Sequence, residues 1–173
     1  EVIFDLWNGE ASGSTSYGRL TIELSASTDG TTPVLVTAQS GTSGIYQQSV
    51  GSATFTTASL ADANWHHYAI SLLSASSGIE SNFYVDGAVN NSATLGSVGI
   101  NEVTGALRAY IGAIQTAPSG TTVSAGSGKL SGSLDEFRYW KTQRSSKDVG
   151  RYFISQVGGG TNTDPKPFTD TQE

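Results

Sequence analysis

The chain has 173 residues, 36% of them hydrophobic, enough for one core and short for two domains. Its net charge is −6, and its nine Lys and Arg are scattered, which excludes the basic stripe that nucleic acid or an anionic membrane surface requires. There is no cysteine, so a disulfide framework, a thiolate metal site and a thiol nucleophile are excluded as well.

The remaining composition sets the class. Gly, Ser and Thr are abundant and only 14% of residues are charged, a mixture that suits many short strands joined by small-residue turns. No apolar run approaches the ~20 residues that cross a bilayer, and no signal peptide opens the chain; no membrane insertion is expected. There is no methionine, so residue 1 is not a translation start, and the chain reads as a piece of a longer or processed polypeptide. An acidic, cysteine-free β domain of this kind fits an extracellular setting, on a cell surface or a virion surface.

Residues 2–7 open abruptly as a strand, followed by a loop over 8–16. Residues 18–25 alternate, with Leu20, Ile22 and Leu24 on one face and Arg19, Thr21 and Glu23 on the other. A turn at 28–32 leads to a strand over 33–38, a second turn at 40–44, and one or two strands over 45–57 around Gly51. The next stretch, 65–89, organises the rest. In Trp65-His66-His67-Tyr68-Ala69-Ile70-Ser71-Leu72, period two puts Tyr68, Ile70 and Leu72 on one face and Trp65, His67 and Ala69 on the other. Neither face is strongly polar, as in a strand covered on both sides. Residues 74–81 read as a turn, and 82–86 as a half-buried strand. Asp86-Gly87 then marks a hairpin, because a tight primed turn needs left-handed backbone that Gly adopts freely. Three strands therefore meander antiparallel through this stretch.

Beyond it, 96–104 is a loop, 106–113 a strand and 116–127 a long low-complexity loop. Residues 134–140 read as a strand in which Asp135, Phe137 and Tyr139 share one parity. Ser145 stands three residues before Asp148, a capping-box start, and Val149, Tyr152, Phe153 and Val157 form one stripe of a helix of about three turns. Glycines at 158–160 stop it. The sandwich is thus expected over 1–157, with 158–173 a polar linker or an arm reaching a neighbour.

The run Trp65-His66-His67-Tyr68-Ala69, followed by Phe83-Tyr84-Val85-Asp86-Gly87, resembles the signature of laminin G-like and pentraxin-like domains of the concanavalin A-like lectin/glucanase superfamily. The segment from Gly128 to Trp140, with Leu134-Asp135-Glu136-Phe137-Arg138-Tyr139-Trp140 at its core, resembles the family's closing strand. Ala109-Tyr110-Ile111-Gly112 resembles the strand between. The resemblance covers about residues 15–157. It implies an all-β, two-sheet antiparallel jelly-roll sandwich with one short C-terminal helix. It also implies a further strand before residue 1, or from a neighbouring chain, that pairs with the closing strand.

Glycosidases of the resembled superfamily place two carboxylates on one concave strand, about 5–5.5 Å apart, in a closely spaced Glu-Asp-Glu run that this chain lacks. Asp135 and Glu136 are adjacent, so on a strand they point apart. His66 and His67 point apart for the same reason and cannot chelate one ion together. Asp135 shares parity with Phe137 and Tyr139, so it is expected on the core side, where a carboxylate must be paired, hydrogen-bonded or metal-bound. In resembled domains an aspartate here joins backbone carbonyls around a structural calcium, an ion that favours such oxygen donors.

Glycan binding requires exposed rings beside amides and carboxylates. Tyr84 with Asn82 and Asp86 meets that on one strand face; Tyr46 with Gln47, and Trp140, are weaker alternatives, and each ring can equally serve sheet packing. The function expected is a non-enzymatic extracellular recognition or adhesion module, binding glycan or a cell-surface ligand as part of a larger protein. Its rival is a structural domain of a virion or appendage (a tail fibre or capsid decoration) contacting neighbouring subunits. A glycoside hydrolase comes third.

Overall fold

A computed structural model describes residues 1–25, 32–115 and 128–154. In chain order the elements are β1 (Val2–Trp7), β2 (Gly18–Leu24), β3 (Val34–Ser40), β4 (Ser43–Val50), α1 (Thr57–Leu60), β5 (Tyr68–Ala75), β6 (Gly78–Val85), β7 (Ala88–Leu95), β8 (Arg108–Ile111) and α2 (Ser146–Tyr152). They form a five-stranded antiparallel sheet in the order β4-β3-β2-β1-β8 and a three-stranded one in the order β5-β6-β7. The fold is the expected all-β jelly-roll sandwich.

The core lies between the sheets and follows the period-two reading. Val34, Val36, Ala38 and Ile45 from the larger sheet meet Ile79, Phe83 and Leu95 from the smaller, while Leu20, Ile22, Tyr68, Ile70 and Leu72 pack against them. Phe55 fills the end of this layer, edge-on to Phe83 with ring centroids 5.0 Å apart. The other face of β2 is buried too. Arg19 and Thr21 lie beneath the surface with Asp5 of β1, so the alternation did not separate inside from outside there.

The two long sides of the sandwich are closed differently. On one side the edge strands β4 and β7 are both bulged: two β4 residues oppose Thr37, and β7 has one extra residue at Asn90. There the Ser52 N–H donates to Asn90 at 2.7 Å, and Asn91 donates to the Gly51 carbonyl at 3.0 Å. The opposite side, between β8 and β5, has no such bridge among the described residues.

Several expectations shift. The run from Trp65 becomes a strand only at Tyr68, and the turn expected over 74–81 shrinks to Ser76-Ser77. Residues 134–140 form no strand. Phe137 and Tyr139 do meet the Phe4 ring at 5.1 and 5.7 Å but stay exposed, and Glu136 takes left-handed backbone with φ 52°, which breaks an extended run. A helix additional to the expected one, α1, is a single turn. Helix α2 is capped as predicted, the Asp148 N–H donating to the Ser145 hydroxyl. Val157, the glycine stop, the C-terminal arm and the 116–127 loop lie outside the described residues.

Candidate functional site

The Asp86-Gly87 hairpin is the cornerstone of the site. Both residues adopt left-handed backbone, φ 49° and 76°, the geometry a two-residue primed turn demands. This turns Asp86 back onto the segment before β5. One carboxylate oxygen accepts the His67 N–H at 2.8 Å, and the other meets Nδ1 of His66 at 2.7 Å. The second ring nitrogen of His66 meets Asp62 at 2.9 Å, and Asp62 also accepts the Asn64 N–H at 2.9 Å. With a carboxylate on each nitrogen, imidazolium satisfies both partners as donor.

The charges respond accordingly. The hydrogen bonds that His66 donates to Asp62, then Asp86, raise its pKa, while His66 and Asn64 hold Asp62 at about 2. Partial burial pushes Asp86 up, but the His66 and His67 hydrogen bonds outweigh it and leave its pKa lowered. Burial, helped by Arg138, lowers His67.

The clamp holds the loop 61–67 against the hairpin and presents Trp65, 73% exposed. Beside it lies a recess of about 250 Å³ whose walls include Trp65, Asp86, Asp135, Glu136, Arg138 and Ile154. Arg138 donates to the Tyr152 carbonyl at 3.1 Å and faces Glu136 at 3.5 Å. Helix α2 reaches this place because Gly87 and Gly150 are small. A Cβ on Gly87 would stand 2.5 Å from the Phe153 ring, and one on Gly150 3.0 Å from the Gly87 carbonyl oxygen.

Two of the predicted residues, Asp86 and Asp135, come together on this recess; the others do not. Tyr84, expected as an exposed stacking ring, is 1% exposed beneath α2, its hydroxyl 3.0 Å from that of Ser146. Asn82 accepts from the Ser92 hydroxyl at 2.6 Å instead of facing a ligand with Tyr84. Tyr46 is exposed, but on β4 of the other sheet. Trp140 is covered by the Arg144 guanidinium at 4.6 Å. Asp135 is exposed rather than core-facing, and one of its oxygens accepts the Glu136 N–H. Because Glu136 is left-handed, Asp135 and Glu136 both line the recess instead of pointing apart.

Among the described residues no group of three or more acidic or histidine side chains is placed to hold an ion. Trp65 and Arg138 are the site residues that sequence reasoning missed. Their signal, a tryptophan and an arginine inside the two family-like motifs, was present but read as strand packing.

The clamp also makes a pH prediction. A raised His66 pKa contributes stability that is full below its unfolded value of about 6.5 and lost as pH climbs through the folded value. Asp62 and Asp86, both lowered, contribute above about 4 and lose that contribution as pH falls. The clamp is thus strongest between about pH 4 and 6.5. His67 acts oppositely: its lowered pKa costs stability as pH falls below about 6.5. His66→Gln should therefore leave the His67 dependence alone, with stability rising from about pH 5 to 8 more steeply than in the parent. Urea midpoints across that range test this, and parallel profiles for the two proteins would refute the clamp.

A family model described as the concanavalin A-like lectin/glucanases superfamily, of laminin G type, matches residues 5–150. The chain belongs to this family. The matched span includes both β-sheets apart from the start of β1, and the whole of the recess except its Phe153 and Ile154 wall. Among curated proteins none matches. Among solved structures, the 2.1 Å crystal structure of part of an S-layer domain-containing protein from Clostridium thermocellum ATCC 27405 is similar. It shares 22% identity at a TM-score of 0.37 over 88% of this chain and 62% of that one. This laminin G-like chain therefore spans about three-fifths of that protein's crystallised length. Among the described residues no helix is long and apolar enough to cross a membrane.

Proposed function

We propose that this laminin G-like domain is a non-enzymatic recognition module that works outside the cell, and that it binds glycan at the Trp65 recess. The observation that carries the reading is Trp65 itself: a tryptophan 73% exposed, on a loop pinned by two carboxylates, above a recess of hydrogen-bonding groups. A sugar ring stacks its C–H face on such an indole, its hydroxyls donating to Asp135 and Glu136 and accepting from Arg138. Pinning matters, because a loop held before binding loses little entropy on binding.

The clamp carboxylates serve binding rather than proton transfer. A glycosidase acid must stay protonated near neutrality, whereas His66 and Asn64 hold Asp62 at about 2 and the His66 and His67 hydrogen bonds lower Asp86. Asp62 and Asp86 therefore hold the loop in place instead of acting as the proton donor.

The test is a glycan array with residues 1–173, followed by titration of the best sugar class against the parent, Trp65→Ala and Tyr46→Ala. Trp65→Ala should weaken binding by about tenfold or more, as removal of an anchoring aromatic does, while Tyr46→Ala leaves it unchanged. Binding that survives Trp65→Ala at full strength, or no sugar bound at all, would remove the recess as a glycan site. In the latter case the structural role in a virion or appendage, with neighbouring subunits as partners, is the reading that remains.

A further inference from the structure

The charge of the Trp65 recess narrows the class of sugar it takes, an inference that rests on the glycan reading above. Its walls carry the carboxylates of Asp86, Asp135 and Glu136 against the cations His66 and Arg138. Both cations are already engaged. His66 is held between Asp62 at 2.9 Å and Asp86 at 2.7 Å, so the clamp as a whole keeps an excess of negative charge. Arg138 is turned inward: its side chain is 17% exposed and donates to the Tyr152 carbonyl at 3.1 Å. The carboxylates face outward instead, with the Asp86 side chain 46% exposed and that of Glu136 41%.

Asp135 and Glu136 also keep acceptors to spare. One Asp135 oxygen accepts the Glu136 N–H at 2.9 Å, and the other has no partner among the described residues. Glu136 meets Arg138 with one oxygen only, at 3.5 Å, which is long for a hydrogen bond. The left-handed backbone of Glu136 is what brings these neighbouring side chains to one recess. His67 stands in the same wall with its Nδ1 buried and without a partner. Trp65 adds an indole that is 73% exposed.

We propose that the recess selects a 2-amino-2-deoxy sugar, bound as its ammonium, over neutral and anionic sugars. The ammonium donates to Asp135 and Glu136 while the C–H face of the ring stacks on Trp65, whose π-face also attracts a cation. At about 250 Å³ the recess is smaller than the roughly 300–1,000 Å³ of sites that enclose drug-sized ligands, so it suits one ring of a chain. A uronic acid or a sulfated sugar would bring like charge to the exposed carboxylates, which rejects it. The net charge of −6 on the whole chain favours a cation in the same sense. A lysine side chain supplies the charge, but neither a ring face for the indole nor hydroxyls for the remaining acceptors.

Titration calorimetry of residues 1–173 tests this with trisaccharides of one linkage, built from glucosamine, N-acetylglucosamine, glucose or glucuronate. At about pH 6 the His66 clamp is complete and the amines are protonated. The glucosamine form should bind about fivefold or more tighter than the N-acetylated and glucose forms, as one surface ion pair with a cation–π contact allows. The glucuronate form should bind most weakly. Asp135→Asn with Glu136→Gln should remove the preference and keep the shape, because Asn still accepts the Glu136 N–H. Trp65→Ala should weaken glucosamine binding by about tenfold or more. Equal binding of all four forms, with Trp65→Ala still harmful, would overturn the inference and leave the recess as a glycan site. A preference that survives either variant would put the partner of the ammonium elsewhere on this acidic surface and overturn it too. So would a lysine-rich peptide that displaces the trisaccharide at equal concentration, making a protein the ligand. If none of the four binds while the array yields another sugar, this inference falls alone; if no sugar binds, it falls together with the glycan reading.

Discussion

Asp5→Ala is expected to lower the unfolding free energy by about 3–5 kcal/mol, the usual cost of removing one partner of a buried ion pair. The Asp5 and Arg19 side chains are completely buried. The guanidinium donates twice to the carboxylate, from Nε at 2.8 Å and Nη2 at 2.9 Å, and the Thr21 hydroxyl donates to the same group at 2.9 Å. Trp7 covers the guanidinium at 5.1 Å from its ring centroid. Alanine keeps the strand but leaves a cation in low dielectric without its counter-charge. A domain of this size has only about 5–15 kcal/mol to lose, so the variant should be far less resistant to urea. The double variant Asp5→Leu with Arg19→Leu should recover much of the loss, because replacing both charges leaves neither unpaired. Urea midpoints of the parent, both single variants and the double one form the cycle. A loss under about 1 kcal/mol for Asp5→Ala would show that the pair is not shielded from water.

Phe83→Ala should cost a comparable amount, about 3–5 kcal/mol, through lost burial and a cavity. Phe83 is 1% exposed and sits where the two sheets and the α1 region meet. It meets Phe55 edge-on at 5.0 Å and lies parallel to Tyr68 at 6.2 Å, with only 3° between the planes. Phe83→Leu keeps most of the volume and should cost less than half as much, and thermal unfolding of the two variants separates the effects. Equal losses for Ala and Leu would mean that the ring contacts, not the filled volume, hold this region.

Which elements could be read from residue order follows from where their determinants lie. The 65–89 meander was legible because its cause is local: alternating apolar side chains, and an Asp-Gly pair whose backbone preference produces the turn. Helix α2 was legible at its start for the same reason, since Ser145 and Asp148 cap each other across a single turn. The strand at 134–140 was misread although its pattern was good. Phe137 and Tyr139 share a side against Phe4, yet an extended segment becomes a strand only when a neighbouring backbone completes its ladder, and alternation carries no information about that neighbour.

The site shows the same division. That Asp86 would sit at a tight turn was written in Asp86-Gly87. That it would clamp His66 together with Asp62 was not, because the contact joins residues 20 apart in the chain. Tyr84 looked like a ligand platform until α2, 62 residues further on, covered it. Conversely, Asp5 stood alone in an apolar strand, and period two could not say that Arg19 and Thr21 would arrive beside it, because register between strands is a tertiary choice. Sequence alone therefore determined the class, the Asp86-Gly87 hairpin and the core-facing residues of β2 and β5, all products of local backbone preference and side-chain period. Burial, partners and the meeting of Trp65 with Asp135 and Arg138 were decided only by the packing of distant segments, since exposure belongs to the whole fold rather than to any single strand.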